Sequence, residues 1–381
     1  MDFTFTEEQQ MLQDTTRRFV AGEYSPETRR ERLRAQAAGN ADRKVWQGLA
    51  DLGLTALNVP EADGGLGGSA IDTMLVMQAL GEGLVNEPFL TSAVLSTQAL
   101  TLLGSESQRA VMLPALAAGE MIAVFAHDER ATRFDRMAVA TRARVDEAGY
   151  VLNGAKSMIA YAPTADVLLV TARVGEADQD GGLAVFAVPR VAEGVTITSF
   201  TMVDGAPGGE IRFNDVRLPA QALLGESATD ASAAIAHVLD AGIAAICAEA
   251  VGALDKLLAA TVEYTRTRKQ FGVPIGKFQA LQHRMADMVL HIEQARSMSY
   301  LASVRCGDAD AATREQTLSA AKVIVGQACR FVSQQAVQLH GGMGVTDELD
   351  VGHYFKRLMA IELQFGSTDS HLEHYAARMA A

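Results

Sequence analysis

Cysteine is scarce in this 381-residue chain. Cys247, Cys306 and Cys329 are the only three, and they form neither a CxxC pair nor a disulfide spacing. A disulfide framework is therefore excluded, and a reducing compartment is expected. Positive charge is also short: 33 Lys and Arg stand against 46 Asp and Glu, a formal net charge of −13. An acidic chain repels phosphate backbones, so no nucleic acid partner is expected, and an anionic ligand would need a local cluster of donors. No apolar run approaches the roughly 18 residues that span a bilayer. The opening segment MDFTFTEEQQMLQDTTRRFV has neither a basic stretch nor the apolar core of a signal peptide. These absences predict a soluble, cytoplasmic protein without a membrane partner. What is abundant is apolar side chain: 49% of residues are hydrophobic and 21% charged. That supports buried cores in two or three domains of roughly 100–200 residues each.

Periodicity divides the chain into three. Thr6 before EEQQ reads as an N-cap, and helical spacing recurs over Val45–Leu52, Ile71–Leu84 and Thr91–Leu103. NVPEADGGLGGSA, between the first two, is a glycine-rich loop that matches neither a Walker A nor a dinucleotide fingerprint. From Met121 to about Leu218 the pattern turns to short β-rich runs, ADVLLVTARV, GLAVFAV, GVTITSF and EIRFNDVRL. They are separated by turn residues such as DEAG, DQDGG and DGAPGG. No helix-length segment interrupts them, so a compact β-barrel or sandwich is expected rather than a βαβ unit. After Pro219 the chain is helical again. Ile235, Leu239, Ile243, Ile246, Ala250, Leu254, Leu257 and Thr261 keep three- and four-residue spacing, as a bundle helix does. A last helix is expected from Thr368. The expected domains are 1–120 (helical), 121–225 (β) and 226–381 (a four-helix bundle), a mixed α and β fold.

Two segments carry chemical information. In YTRTRKQFGVPIGKFQALQHRMADM, Arg266, Arg268 and Lys269 gather positive charge at a helix C-terminus, where the macrodipole favours it. Arginine also offers a rigid donor fork for phosphate oxygens. The segment equally reads as an ordinary charged helix end, and GVPIGK is one residue short of a P-loop and lacks its Ser/Thr. In QAVQLHGGMGVTDELD, paired glycines near a helix end admit a close ligand, or simply stop the helix.

Taken together, RKQFG, IGKFQALQ and QLHGG resemble the acyl-CoA dehydrogenase family in order and separation, and the resemblance covers essentially the whole chain. It implies an FAD enzyme that oxidises an acyl-CoA thioester to its 2-enoyl form, with an electron-transfer flavoprotein-type acceptor. It also implies a dimer or tetramer whose FAD lies across a subunit interface. By match, Arg268, Gln270 and Phe271 would reach a neighbour's FAD, Gln338, Gly341 and Gly342 its other side, and Ile275, Phe278, Gln279 and Leu281 its adenine. Phe125, His127 and Asp128 would line this chain's own flavin, with Met158, Ile159 and Ala160 opposite, and Thr368 and Ser370 nearby.

The chain departs from the family where the base belongs. QFGSTDSHLEHYA stands in place of the family's Tyr-Glu-Gly-Thr segment and puts Gly366 at the position of the catalytic Glu. Glycine cannot accept a proton. The alternative position on the long helix is Gly242, followed by Ile243. Asp369 and Asp240 are the nearest substitutes in sequence. FAHDERATRFD keeps no Gly-Ser-Asp, and Met158 replaces a common Trp in NGAKSMIAYAP. HLEH, with His371, Glu373 and His374, is too isolated to predict a metal site. The segments FAHDER, CAEAVGAL and HGGMGVTDELDVGHYFKRL are most similar to a small subunit of this family that works with a larger homologous partner. The resemblance thus implies a hetero-oligomer whose partner supplies the base. The alternatives are a self-sufficient enzyme using Asp369, a non-catalytic FAD-binding scaffold, and a flavin oxidase or monooxygenase of the same fold.

Overall fold

Thr6 starts the first helix as its sequence position predicts. Its hydroxyl accepts from the Gln9 N–H while the Gln9 side chain accepts from the Thr6 N–H, a complete capping box. The computed structural model describes residues 4–37, 43–132, 134–175, 181–226 and 230–379. Helices α1 (Glu7–Glu23), α2 (Pro26–Ala37), α3 (Lys44–Asp51) and α4 (Ala70–Glu82) come first. The single helix expected over Thr91–Leu103 is instead a π-helical stretch, Phe89–Ser96, leading into α5 (Thr97–Leu103). The hydroxyls of Ser96 and Thr97 donate to the carbonyls of Thr91 and Ser92, five residues back, which fits the wider turn. α6 (Glu106–Ala117) begins with a second capping box at Ser105.

The middle of the chain is one seven-stranded sheet of β1 (Ala123–Ala126), β2 (Arg142–Asp146), β3 (Gly149–Ala160), β4 (Val167–Val174), β5 (Leu183–Pro189), β6 (Val195–Thr201) and β7 (Pro207–Pro219). The order is β1-β4-β2-β3-β7-β6, with β5 on β4. The four quoted β-rich runs are β4 to β7, while residues 178–180 of the DQDGG separator lie outside the described residues. β4 pairs parallel with β1 and β2 and antiparallel with β5, and Leu168 to Ala172 are buried without alternation. A strand covered on both faces reads as a continuous apolar run. The β3–β7 register slips between Leu152 and Gly154 and again between Lys156 and Ile159. Such bulges bend a strand and re-aim its side chains.

The remainder is helical: α7 (Ser232–Thr267), a two-residue-strand hairpin of β8 (Lys269–Gln270) and β9 (Val273–Pro274), then α8 (Gln279–Arg305), α9 (Ala311–His340), α10 (Val351–Leu363) and α11 (Thr368–Met379). By length and composition α7 could cross a membrane, but 78% of its apolar window is buried inside the protein, as in a core helix. The chain forms two units. One comprises residues 1–31, 70–85 and 243–381, the other residues 32–69 and 86–242. In the first, α9 packs against α8, α10 and α11, and α1 against α4. There α4 and α7 meet backbone to backbone. A Cβ at Gly81 would lie 2.1 Å from the Glu249 carbonyl oxygen, and one at Gly252 would lie 1.9 Å from that of Gln78. Only glycine allows that approach.

Candidate functional site

In the sheet unit, the second β3 bulge falls on Ser157 and Met158. Met158 is held at φ +57° and is 54% exposed, while Ile159 is buried and Ala160 half-buried. A non-glycine residue at positive φ is strained, and such strain persists where the surroundings impose it. The Ser157 N–H donates to the Asp128 carbonyl at 2.9 Å, so the Phe125–Asp128 line and the Met158–Ala160 line are joined through their main chains. Phe125 and His127 are packed inside, their rings stacked at 5.9 Å, whereas Asp128 is exposed. The first two can therefore present only backbone to a ligand.

Beneath this line lies a buried polar network that the sequence did not single out. Lys156 is fully buried, and its ammonium donates to Glu129 Oε1 (2.7 Å), Thr171 Oγ1 (2.9 Å) and the His127 carbonyl (3.0 Å). Glu129 also accepts from the N–H groups of Ala140 and Thr141. Burial opposes the Glu129 charge, but the Lys156 ammonium and these donors outweigh it and hold the carboxyl below its usual range. Burial pulls Lys156 itself down to about 8, with Glu129 opposing the shift. His127 is lowered to about 4, by burial first and then by the Lys156 charge, so its ring is neutral near pH 7. Its Nε2 faces the Arg136 carbonyl at 2.8 Å and must carry the proton, and Nδ1, 3.1 Å from Thr171 Oγ1, accepts. The bonds thus run in one direction, from Lys156 through Thr171 and His127 to the main chain of Arg136. The Arg136 guanidinium in turn binds Asp240 at 2.6 Å.

This network predicts acid sensitivity. The folded His127 pKa lies below the ordinary imidazole value of 6.5, so the unfolded state binds the extra proton first. Stability should be lost as pH falls from about 6.5 toward 4, by up to about 3 kcal/mol. Urea titrations across that range check it, and His127→Gln should flatten the dependence.

In the helical unit, the two glycine-containing motifs are brought together by an aromatic pair, Tyr264 and His340. Tyr264, near the end of α7, stacks on His340, the last residue of α9, at 4.3 Å, and its hydroxyl donates to the His340 carbonyl. Neither residue type carries a sequence signal for that role. The Phe271–Gly272 turn of the hairpin has positive φ at both central residues, +54° and +80°, as a type I′ turn requires. Glycine suits that turn, but Phe271 is strained there and is also 90% exposed. Its ring meets Phe278 edge-on at 6.1 Å. Arg268, Gln270 and Gln338 are exposed, and their side chains make no hydrogen bond among the described residues. Gly341 and Gly342 have open space where a Cβ would stand. Ile275 and Leu281 are half-buried beside this surface, and Gln279 begins α8. Exposed donors, open glycines and a strained aromatic thus lie at the joined ends of α7 and α9, and guanidinium and amide donors of this kind suit phosphate oxygens. Phe271→Asn should raise stability by about 0.5–1 kcal/mol through relief of the turn while lowering FAD retention. Thermal melts and bound-flavin absorbance test the two halves separately.

Among the described residues no buried carboxylate lacks an ion pair. Among the described residues the buried carboxylates are Glu129, Asp240, Glu249 and Glu362. Each is ion-paired, with Lys156 (2.7 Å), Arg136 (2.6 Å), Arg357 (2.5 Å) and Arg330 (2.9 Å) respectively. Asp240 is therefore a structural partner of Arg136. Gly242 and Ile243 are buried on α7. Asp369 is exposed in the first turn of α11, where the helix dipole favours an acid. Thr368 is buried, and the Ser370 hydroxyl is turned onto the Ser367 carbonyl. His371 is buried and bonded within the protein, His374 and Glu373 are exposed, and no cluster of three metal-ligating residues occurs among the described residues.

Comparisons with known proteins agree with this picture. Models of the acyl-CoA dehydrogenase N-terminal, middle and C-terminal domains match residues 6–120, 125–216 and 232–380. A probable acyl-CoA dehydrogenase, YngJ of Bacillus subtilis (strain 168), is 31% identical over 376 residues, 97% of each chain. Among solved structures, the ChsE4-ChsE5 complex from Mycobacterium tuberculosis matches at TM-score 0.88 and 28% identity, covering 100% of this chain and 99% of that one. Butyryl-CoA dehydrogenase from Megasphaera elsdenii matches at TM-score 0.88 and 26% identity over the whole of both chains.

Proposed function

This chain belongs to the acyl-CoA dehydrogenase family, and from that premise we propose that it is one subunit of a hetero-oligomeric enzyme whose partner supplies the catalytic base. Members of the family are FAD-dependent oxidoreductases acting on CH–CH bonds. When bound, FAD supplies the two-electron oxidant that converts an acyl-CoA to its 2-enoyl form. Arg268, Gln270, Phe271, Gln338, Gly341 and Gly342 would hold the phosphates and adenosine of a neighbour's FAD. Met158 and the main chain at Phe125–Asp128 would shape this chain's own flavin wall. The electrons would leave to an electron-transfer flavoprotein-type acceptor.

The observation that carries the reading is that neither family base position, nor any buried carboxylate among the described residues, offers an unpaired proton acceptor. Both family base positions are glycine, and each buried carboxylate among the described residues is ion-paired. A paired carboxylate cannot take the α-proton without abandoning its buried partner, which costs several kcal/mol. The ChsE4-ChsE5 structure, itself of a complex, is consistent with a two-chain assembly. The FAHDER and HGGMGVTDELDVGHYFKRL segments favour the small subunit of a pimeloyl-CoA dehydrogenase-like enzyme.

Purification from the native host should bring down a second, larger homologous chain, with acyl-CoA oxidation in the mixture. The isolated chain should fall short of that rate by about 10²–10⁴, the usual contribution of a general base. Asp369→Asn should leave the mixture's rate unchanged. Full turnover by the pure chain would defeat the proposal.

A further inference from the structure

The loop between α10 and α11 is closed to any side chain at Gly366. Its φ is +116°, a region that L side chains rarely adopt. A Cβ there would stand 2.9 Å from His371 Nε2 and 3.0 Å from Ser370 Oγ. Neither neighbour is free to move aside. His371 is buried, with Nε2 3.0 Å from the Phe365 carbonyl and Nδ1 3.2 Å from Ser319 Oγ. Ser370 Oγ donates to the Ser367 carbonyl at 2.9 Å.

The main chain of the loop is also fixed from below. Lys322, fully buried on α9, donates to the carbonyls of Glu362 and Gly366, both at 2.9 Å. Glu362 lies in the last turn of α10, whose final carbonyls lack helical partners and sit at the negative end of the dipole. A buried ammonium satisfies both needs. The Glu362 carboxylate accepts from the Thr368 N–H at 3.1 Å, which fastens the far side of the loop.

We propose that this loop is built around glycine, with Lys322 and His371 as its positioning residues, so that substitution at position 366 alone cannot restore a carboxylate base. The inference rests on the reading that a partner supplies the base, and it makes that division of labour a property of the backbone. A glutamate at 366 would have its Cβ driven against the His371 ring.

The test uses the full chain with FAD bound and three variants, Gly366→Ala, Gly366→Glu and Gly366→Ala with His371→Ala. Three readouts are taken: the melting temperature, bound FAD by absorbance, and anaerobic flavin bleaching by an acyl-CoA. Gly366→Ala should lower the melting temperature by at least about 2 °C, and the loss should shrink when His371 is also Ala, because the two positions touch. Gly366→Glu should bleach no faster than the wild type. A Gly366→Glu chain that keeps its FAD and bleaches where the wild type does not would overturn the loop proposal alone. An unchanged melting temperature in Gly366→Ala would overturn it too, and decides the matter if Gly366→Glu fails to fold. Bleaching by the wild-type chain at the rate of the mixture would instead defeat the subunit reading.

Discussion

Lys156→Met is expected to cost the sheet unit about 3–5 kcal/mol, the range for breaking a buried ion pair from one side. The Lys156 ammonium is the partner of a carboxylate whose side chain is only 5% exposed, and it also holds Thr171 and the His127 carbonyl. Its removal leaves Glu129 with two backbone donors and no countercharge. Denaturant titration of the variant should show an early transition assigned to this unit. Removing the charge from both sides, Lys156→Met with Glu129→Gln, should recover part of the loss, since no unpaired ion remains. A single-variant loss under about 1 kcal/mol, the size of a surface pair, would mean that the network does not organise the Phe125–Asp128 line.

The second large effect is on ligand binding alone. Arg268→Ala should weaken FAD retention by roughly 10- to 100-fold, the equivalent of one charge-assisted hydrogen bond to phosphate. It should change the stability of the flavin-free protein by no more than about 0.5 kcal/mol. The reason for the split is exposure: the guanidinium has no partner among the described residues, so the fold does not depend on it. Flavin fluorescence on dilution measures the first quantity and urea unfolding the second. FAD retention equal to wild type would remove Arg268 from the proposed FAD contacts. A large loss of apo stability would instead make it structural.

Much of the fold was legible in the sequence because it is written in local terms. Thr6 followed by EEQQ is a cap, three- and four-residue apolar spacing gives α4 and α7, and turn-bounded runs give β4 to β7. The π-helical stretch over Phe89–Ser96 was not legible, since apolar spacing alone cannot distinguish one extra residue per turn. Nor were the parallel pairings of β4, which join segments far apart in the chain.

The site divides along the same line. The sequence alone carries the resemblance, with RKQFG and QLHGG in the family's order, and that resemblance puts Gly366 and Gly242 where the family's base is expected. Side-chain identity is a property of the chain. Only the tertiary structure decided what those residues can do. It showed Phe125 and His127 turned inward, Phe271 strained and held out to solvent, and each buried carboxylate among the described residues bound to a cation. It also showed Tyr264 and His340 fastening the two glycine-containing motifs to each other. Pairing, burial and backbone strain depend on which distant segments meet, and a sequence read along its length does not record those meetings.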